Sequence, residues 1–201
     1  MEDIFEKYVS YYNKLIEEIN KNIKSIEPNN DRGHNAMIFR AMLDTASTIN
    51  MFCGEMSILH NDFYDKIDTQ EVCKDDKVIR IGNKIKTLVI SSLKNFLARE
   101  DSKLTIYLQH PDKISIGEFI DSNVIFDGIK TGHLLVNELD QTKILINGIS
   151  HVTTTNRRTV RMETNPVLHE GLCAVYADDS IITPLDEMFE SMNKASVTIN
   201  F

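Results

Sequence analysis

The side chains with chemistry to offer in this 201-residue chain fall into two short stretches and one turn. His151, Glu55 and Glu163 have the types that general acid–base work needs: an imidazole that titrates near neutrality and carboxylates that hold or direct a proton. Arg157, Arg158 and Arg161 crowd one segment, and guanidiniums pair well with phosphate oxygens. Together they would supply a base, a carboxylate and a cationic clamp for phosphodiester or nucleic-acid hydrolysis, without an identifiable nucleophile. Glu55 is the first single-residue candidate. It follows Gly54 and the apolar run Ile49 to Cys53, and the C-terminal ends of strands in α/β sheets are where reacting groups collect. The competing reading of Glu55 is a turn residue that caps the next segment.

His60-Asn61-Asp62 and His110-Pro111-Asp112 each set an imidazole near a carboxylate, as metal ligation or base orientation would require. A metal site needs three or four ligands, and no spacing in the chain supplies them, so neither a metal nor another cofactor is expected. The chain has no Gly-x-Gly-x-x-Gly, no phosphate loop ending in Gly-Lys-Ser/Thr, no Gly-x-Ser-x-Gly and no His-Glu-x-x-His. Each of the first three needs glycines where backbone must approach a ligand or turn sharply, and only 8 glycines are present. Cys53, Cys73 and Cys173 form no Cys-x-x-Cys pair. Cys53 and Cys173 lie within apolar runs, which reads as buried thiols in a reducing, cytoplasmic setting.

The elements that must position these residues follow from hydrophobic spacing. Ile4, Phe5, Tyr8, Tyr12, Leu15, Ile16, Ile19, Ile23 and Ile26 recur at three and four residues, which predicts an N-terminal amphipathic helix over 1–27, packed on a core or serving as a dimerisation helix. The turn formers from Glu27 to Gly33 end it. Residues 34–201 are expected to form a single α/β domain. Met37, Ile38, Ala41, Met42 and Ala46 mark a helix leading into a strand at Ile49 to Cys53. Val78 to Leu97 is a helix leading into the alternating strand Lys103 to Leu108. Strands are expected at Lys143–Asn147, Val152–Thr155, Thr159–Thr164 and Leu172–Ala177, with a hairpin turn at Asn156-Arg157-Arg158. The pieces Val124 to Phe126 and His133 to Val136 read equally as helical turns or strands. Thr183-Pro184 is expected to open a last helix, Thr as its cap and Pro in its first turn. Val197 to Phe201 would end the chain as a short strand or a tail.

With 42% hydrophobic residues the chain can bury one substantial core. The net charge of −8, from 30 acidic and 22 basic residues, disfavours binding to nucleic acid without excluding it. Lys84, Lys86, Lys94 and Arg99 are more simply a solvated helix face than a polyanion-binding patch. No window reaches the roughly 20 apolar residues of a spanning helix, and Met1-Glu2-Asp3-Ile4-Phe5-Glu6 lacks the basic and apolar regions of a secretory signal, so no membrane association or export is expected.

Three pieces resemble the phospholipase D superfamily, specifically its small single-repeat bacterial branches: Ala41-Met42-Leu43-Asp44-Thr45-Ala46 leading into Ile49–Glu55; Lys94–Arg99 followed by Lys103–Leu108; and His151–Arg157 with Arg161–Thr164, Ala174-Val175-Tyr176 and a closing helix with Phe189. The resemblance implies a mixed sheet flanked by helices, here with an added N-terminal helix. The family signature is His, any residue, Lys, four residues, Asp. Setting Asn156 at the Asp position puts Ile149 at the His position and His151 at the Lys position, so covalent phosphohistidine chemistry is not implied. What the resemblance then implies is a non-catalytic module acting through contacts with another protein, as a homodimer, of a kind often encoded with bacterial defence genes. The alternative is a phosphodiesterase or nuclease with a non-standard site.

Overall fold

The computed structural model describes residues 4–70, 81–111, 114, 116–140, 151–165 and 170–199. The strand expected at Lys143–Asn147, Val78, Ile149, Asp112 and Cys73 all lie outside the described residues.

In chain order the elements are α1 (Ile4–Lys21), β1 (Ser25–Asn29), α2 (Arg32–Thr45), β2 (Thr48–Cys53), α3 (Asn61–Gln70), α4 (Ile81–Leu97), β3 (Lys103–Leu108), α5 (Ser122–Thr131), β4 (Leu134–Leu139), β5 (Val152–Thr155), β6 (Val160–Asn165), β7 (Glu170–Val175), α6 (Asp179–Lys194) and β8 (Ser196–Thr198). The strands form one mixed sheet in the order β1-β7-β6-β5-β2-β3-β4-β8. At its centre β2, β3 and β4 run parallel, and every flanking pair is antiparallel. Among the described residues no helix is long and apolar enough to cross a membrane.

Side-chain alternation gives the central strands two buried faces, as parallel strands covered on both sides require. Ile49, Met51, Leu104, Ile106, Leu134 and Val136 face the cluster built by α1, α2, α4 and α5. Phe52, Tyr107, Leu139, Val152 and Val160 face the opposite way, where Phe189 and Met192 of α6 cover them. The helix-to-strand pairs α2–β2 and α4–β3 follow the apolar spacing read from sequence. The two undecided pieces resolve into α5 and β4. Asp121 caps α5 by accepting from the Val124 N–H, and Gly132 closes it in left-handed geometry at φ 77°.

Two elements depart from expectation. The N-terminal helix stops at Lys21, and Ser25–Asn29 joins the sheet as an edge strand beside β7. That strand is patterned inside out: Glu27 and Asn29 are buried while Ile26 is exposed. Glu27 lies inward because Lys14 of α1 pairs with it at 2.6 Å, and the missing N–H of Pro28 is tolerated on an edge. The last helix begins at Asp179 rather than at Thr183, leaving Pro184 inside it. Asp179 in its first turn pairs with Arg158 at 2.7 Å and suits the positive end of the helix.

Candidate functional site

Because β2 and β3 are parallel, their C-terminal ends open on the same side of the sheet, and backbone bonds from Gln109 N–H to Cys53 O (3.1 Å) and His110 N–H to Gly54 O (3.0 Å) fasten the two exit loops together. β5 runs antiparallel to β2, with Phe52 opposite Val152, so His151 at the start of β5 meets Gly54 at the end of β2. The β5–β6 hairpin turns at Asn156–Arg158 as expected. Its register pairs Val152 with Met162 and Thr153 with Arg161, which places Glu163 across from His151.

These relations produce a short chain of polar contacts. The Gly54 N–H donates to His151 Nε2 at 3.0 Å. His151 Nδ1 lies 2.5 Å from Glu163 Oε2, and Glu163 Oε1 accepts from the Arg161 guanidinium at 3.3 Å. A backbone N–H can only donate, so Nε2 presents its lone pair and the ring proton sits on Nδ1, facing the carboxylate. Glu163 and Arg161 are 3% and 6% exposed. Burial pulls the Arg161 guanidinium below its ordinary value, opposed by the charge of Glu163 and the hydrogen bond to it.

His151 separates two cavities and lines both. The inner recess, about 40 Å³, is bounded by Met42, Met51, Met56 and Ile58 on its apolar side and by Asn35, Thr153, Arg161 and Glu163 on its polar side. That exceeds the roughly 10–15 Å³ that a single water needs. The outer groove, about 460 Å³, has the size of a small-molecule site and is lined by Gly54, Glu55, Ser57, His60, Asp62, Lys66, Gln109, His110, Glu118 and His151.

Of the residues singled out by sequence, the structure brings His151, Glu163 and Arg161 together. Glu55 is exposed on the Gly54 loop and borders the same groove. Arg157 and Arg158 turn elsewhere. Arg157 reaches the carbonyl of Ile19 at 3.3 Å, and Arg158, at φ 58° in the turn, binds Ala177 O and Asp179. The three arginines therefore form no common phosphate clamp, because successive positions around a hairpin turn project in different directions. Cys53 lines the recess, but burial pushes its thiol up to about 12, and the same cause acts on Cys173. Neither is an activated thiolate. Among the described residues no group of three or more His, Cys, Asp or Glu is arranged to hold a metal.

Sequence reasoning gave little weight to His60 and His110, which both face the groove. A signal existed for His110: it stands just past the end of β3 as Gly54 stands just past β2. For the Gly54 N–H, Ser57 and Glu118 no sequence signal existed. Neither the protein-family models nor the curated proteins contain a match to this chain.

Proposed function

We propose that the chain hydrolyses a phosphodiester, with His151 as general base on a water held in the recess. The observation that carries this reading is the His151–Glu163 pair at the junction of recess and groove. Glu163 orients the ring and stabilises the imidazolium that forms when Nε2 takes a proton from water. The water oxygen bonds to phosphorus, the ester P–O bond breaks, and the proton on Nε2 passes to the departing oxygen. For Nε2 to act, the Gly54 N–H must let go of it, and that N–H then becomes a donor for a phosphoryl oxygen.

The phospholipase D-like resemblance lends this reading no intact signature, even in a changed register. With His151 itself as the signature histidine, Thr153 falls where the family has lysine and Arg158 where it has aspartate. Arg161 stands opposite Thr153 in the hairpin, so a buried cation lies next to the position the lysine would hold.

The test is turnover of bis(p-nitrophenyl) phosphate and of single-stranded DNA, with and without EDTA, for wild type, His151→Gln and Glu55→Ala. We expect hydrolysis that resists EDTA and falls by about 10²–10⁴-fold in His151→Gln. Absence of turnover in wild type overturns the hydrolase reading.

A second reading, a homodimeric module acting through protein contacts, draws support from the flank of the sheet that α6 leaves open. There Met162, Leu172 and Pro28 share one row across β6, β7 and β1, and Ile26 stands in the next, 67% exposed. Sedimentation of wild type against Leu172→Glu tests it: a dimer that dissociates in the variant supports it, and a monomeric wild type refutes it.

A further inference from the structure

The inner recess holds polar groups that the protein leaves unanswered. Asn35 and Thr153 both line it and are 7% and 5% exposed, yet among the described residues neither the Asn35 amide nor the Thr153 hydroxyl has a hydrogen-bond partner. None of these atoms is among the unpartnered ones that are sealed from solvent, so they open onto the cavity. The same holds for Arg161 Nη1, while Nη2 of the same guanidinium donates to Glu163. Buried polar groups are normally matched, and an unmatched one costs free energy that a bound partner returns.

The sheet and α2 place these groups together. Met51, Thr153 and Arg161 stand opposite one another in a row across β2, β5 and β6. Asn35, Phe39 and Met42 fall at i, i+4 and i+7 on one face of α2 and close the recess over that row. Met56 adds to the apolar wall from a left-handed backbone, φ 57°, which a non-glycine residue adopts at a cost.

The lining selects the chemistry of a guest. A volume of about 40 Å³ lies between the roughly 10–15 Å³ that one water needs and the ~150 Å³ that admits benzene, which sets the guest at a few heavy atoms. Water alone would answer the polar groups and leave Met42, Met51, Met56 and Ile58 without an apolar contact. An anion would face the Glu163 carboxylate, which already answers the Arg161 charge at 3.3 Å. A neutral amide carrying a methyl group suits both halves, since it has an acceptor, a donor and an apolar end.

We propose that the recess binds a small neutral amide, a carboxamide or acetamido group, whose carbonyl oxygen accepts from Arg161 Nη1, whose N–H donates to the Asn35 amide oxygen or to Thr153, and whose methyl lies against Met42, Met51 and Met56. The inference does not rest on the hydrolase reading. Where both hold, the amide takes the place of the attacking water and is an inhibitory ligand rather than the substrate.

Acetamide is the probe, with N-methylacetamide to separate a primary amide from an acylated amine and acetate as the anion of the same shape. Each is titrated into wild type, Asn35→Leu and Thr153→Val, followed by the methionine methyl resonances, with circular dichroism as the check on folding. We expect saturable shifts at Met42, Met51 and Met56, affinity for the better amide roughly tenfold above that for acetate, and a roughly tenfold loss in Asn35→Leu, the worth of one hydrogen bond. The tighter of the two amides names the class of ligand, and the near-isosteric Thr153→Val carries the test if Asn35→Leu does not fold. No saturable shift with either amide, shifts that miss the recess methionines, acetate binding as tightly as the amides, or undiminished affinity in the folded variants each overturns the inference. Amide binding by an inactive protein refutes the hydrolase reading alone; hydrolysis by a protein that binds neither amide refutes this inference alone.

Discussion

Glu163 stands directly across the β5–β6 hairpin from His151, its Oε2 2.5 Å from Nδ1, while its other oxygen meets Arg161 on its own strand. One buried carboxylate thus answers two cationic or protic groups, and its removal has consequences for both stability and protonation.

Glu163→Gln leaves the Arg161 guanidinium buried without its counter-charge. We expect a loss of about 3–5 kcal/mol in urea unfolding, the usual result of removing one partner from a buried ion pair. Arg161→Met combined with Glu163→Gln should restore most of it. A loss below about 1 kcal/mol in the single variant would show that the pair does not hold the hairpin.

The tautomer of His151 follows from its two neighbours. Nitrogen NMR of neutral His151 should show the proton on Nδ1 and a bare Nε2, because the Gly54 N–H leaves no room for a second hydrogen there. The opposite tautomer would remove the premise that Nε2 acts as base.

Asp31 caps α2, accepting from the His34 N–H at 2.8 Å, with the His34 ring 3.0 Å from its other oxygen. Burial raises its pKa, but the bonds and charge from His34, together with Tyr8, outweigh this and hold it below the usual carboxylate range. A depressed carboxylate contributes stability that is present above its unfolded pKa of about 3.9 and is lost as pH falls through the folded value. Asp31→Asn should therefore keep the cap and flatten stability against pH below about 4. Asp31→Ala should cost about 1 kcal/mol at pH 7 as well. Equal pH profiles for wild type and Asp31→Asn would contradict the assignment.

His60 titrates in a different window. Its folded pKa lies below the unfolded value of about 6.5, so the unfolded chain takes up the proton first and stability falls as pH drops from about 6.5 through the folded pKa. His60→Gln should remove that part of the slope, as read from denaturation midpoints between pH 7 and pH 5.

Gly171 lies opposite Glu163 at the irregularity between β6 and β7. A Cβ there would stand 2.4 Å from the Met162 carbonyl oxygen, a backbone atom that cannot swing aside. Gly171→Ala should cost about 1–3 kcal/mol and disturb the His151–Glu163 geometry together with stability. A fully stable variant would mean that the bulge relaxes freely.

Much of the sheet was legible in the sequence. The apolar spacing of α2 and α4, the runs Ile49–Cys53 and Lys103–Leu108, and the hairpin at Asn156–Arg158 are local patterns, and the mixed α/β class follows from them. β1 was not legible, since its inward positions are Glu27 and Asn29 and its exposed ones Ile26 and Pro28. Alternation reports which face is apolar, and here tertiary pairing with Lys14 reverses the sense. The three neighbouring arginines read as one clamp, yet each guanidinium found a different partner.

The sequence by itself determined the class of the fold, the main helices that cover one side of the sheet, and the presence of the hairpin turn at Asn156–Arg158, while the register that sets His151 against Glu163 came from the tertiary structure. Tertiary structure alone decided that the Gly54 N–H, 97 positions earlier, meets His151 Nε2, and that His60, Asp62, Glu118 and His151 line one groove. Hydrophobic periodicity encodes burial over a few residues, whereas polar contacts between distant segments depend on strand order and loop closure, which no local pattern records.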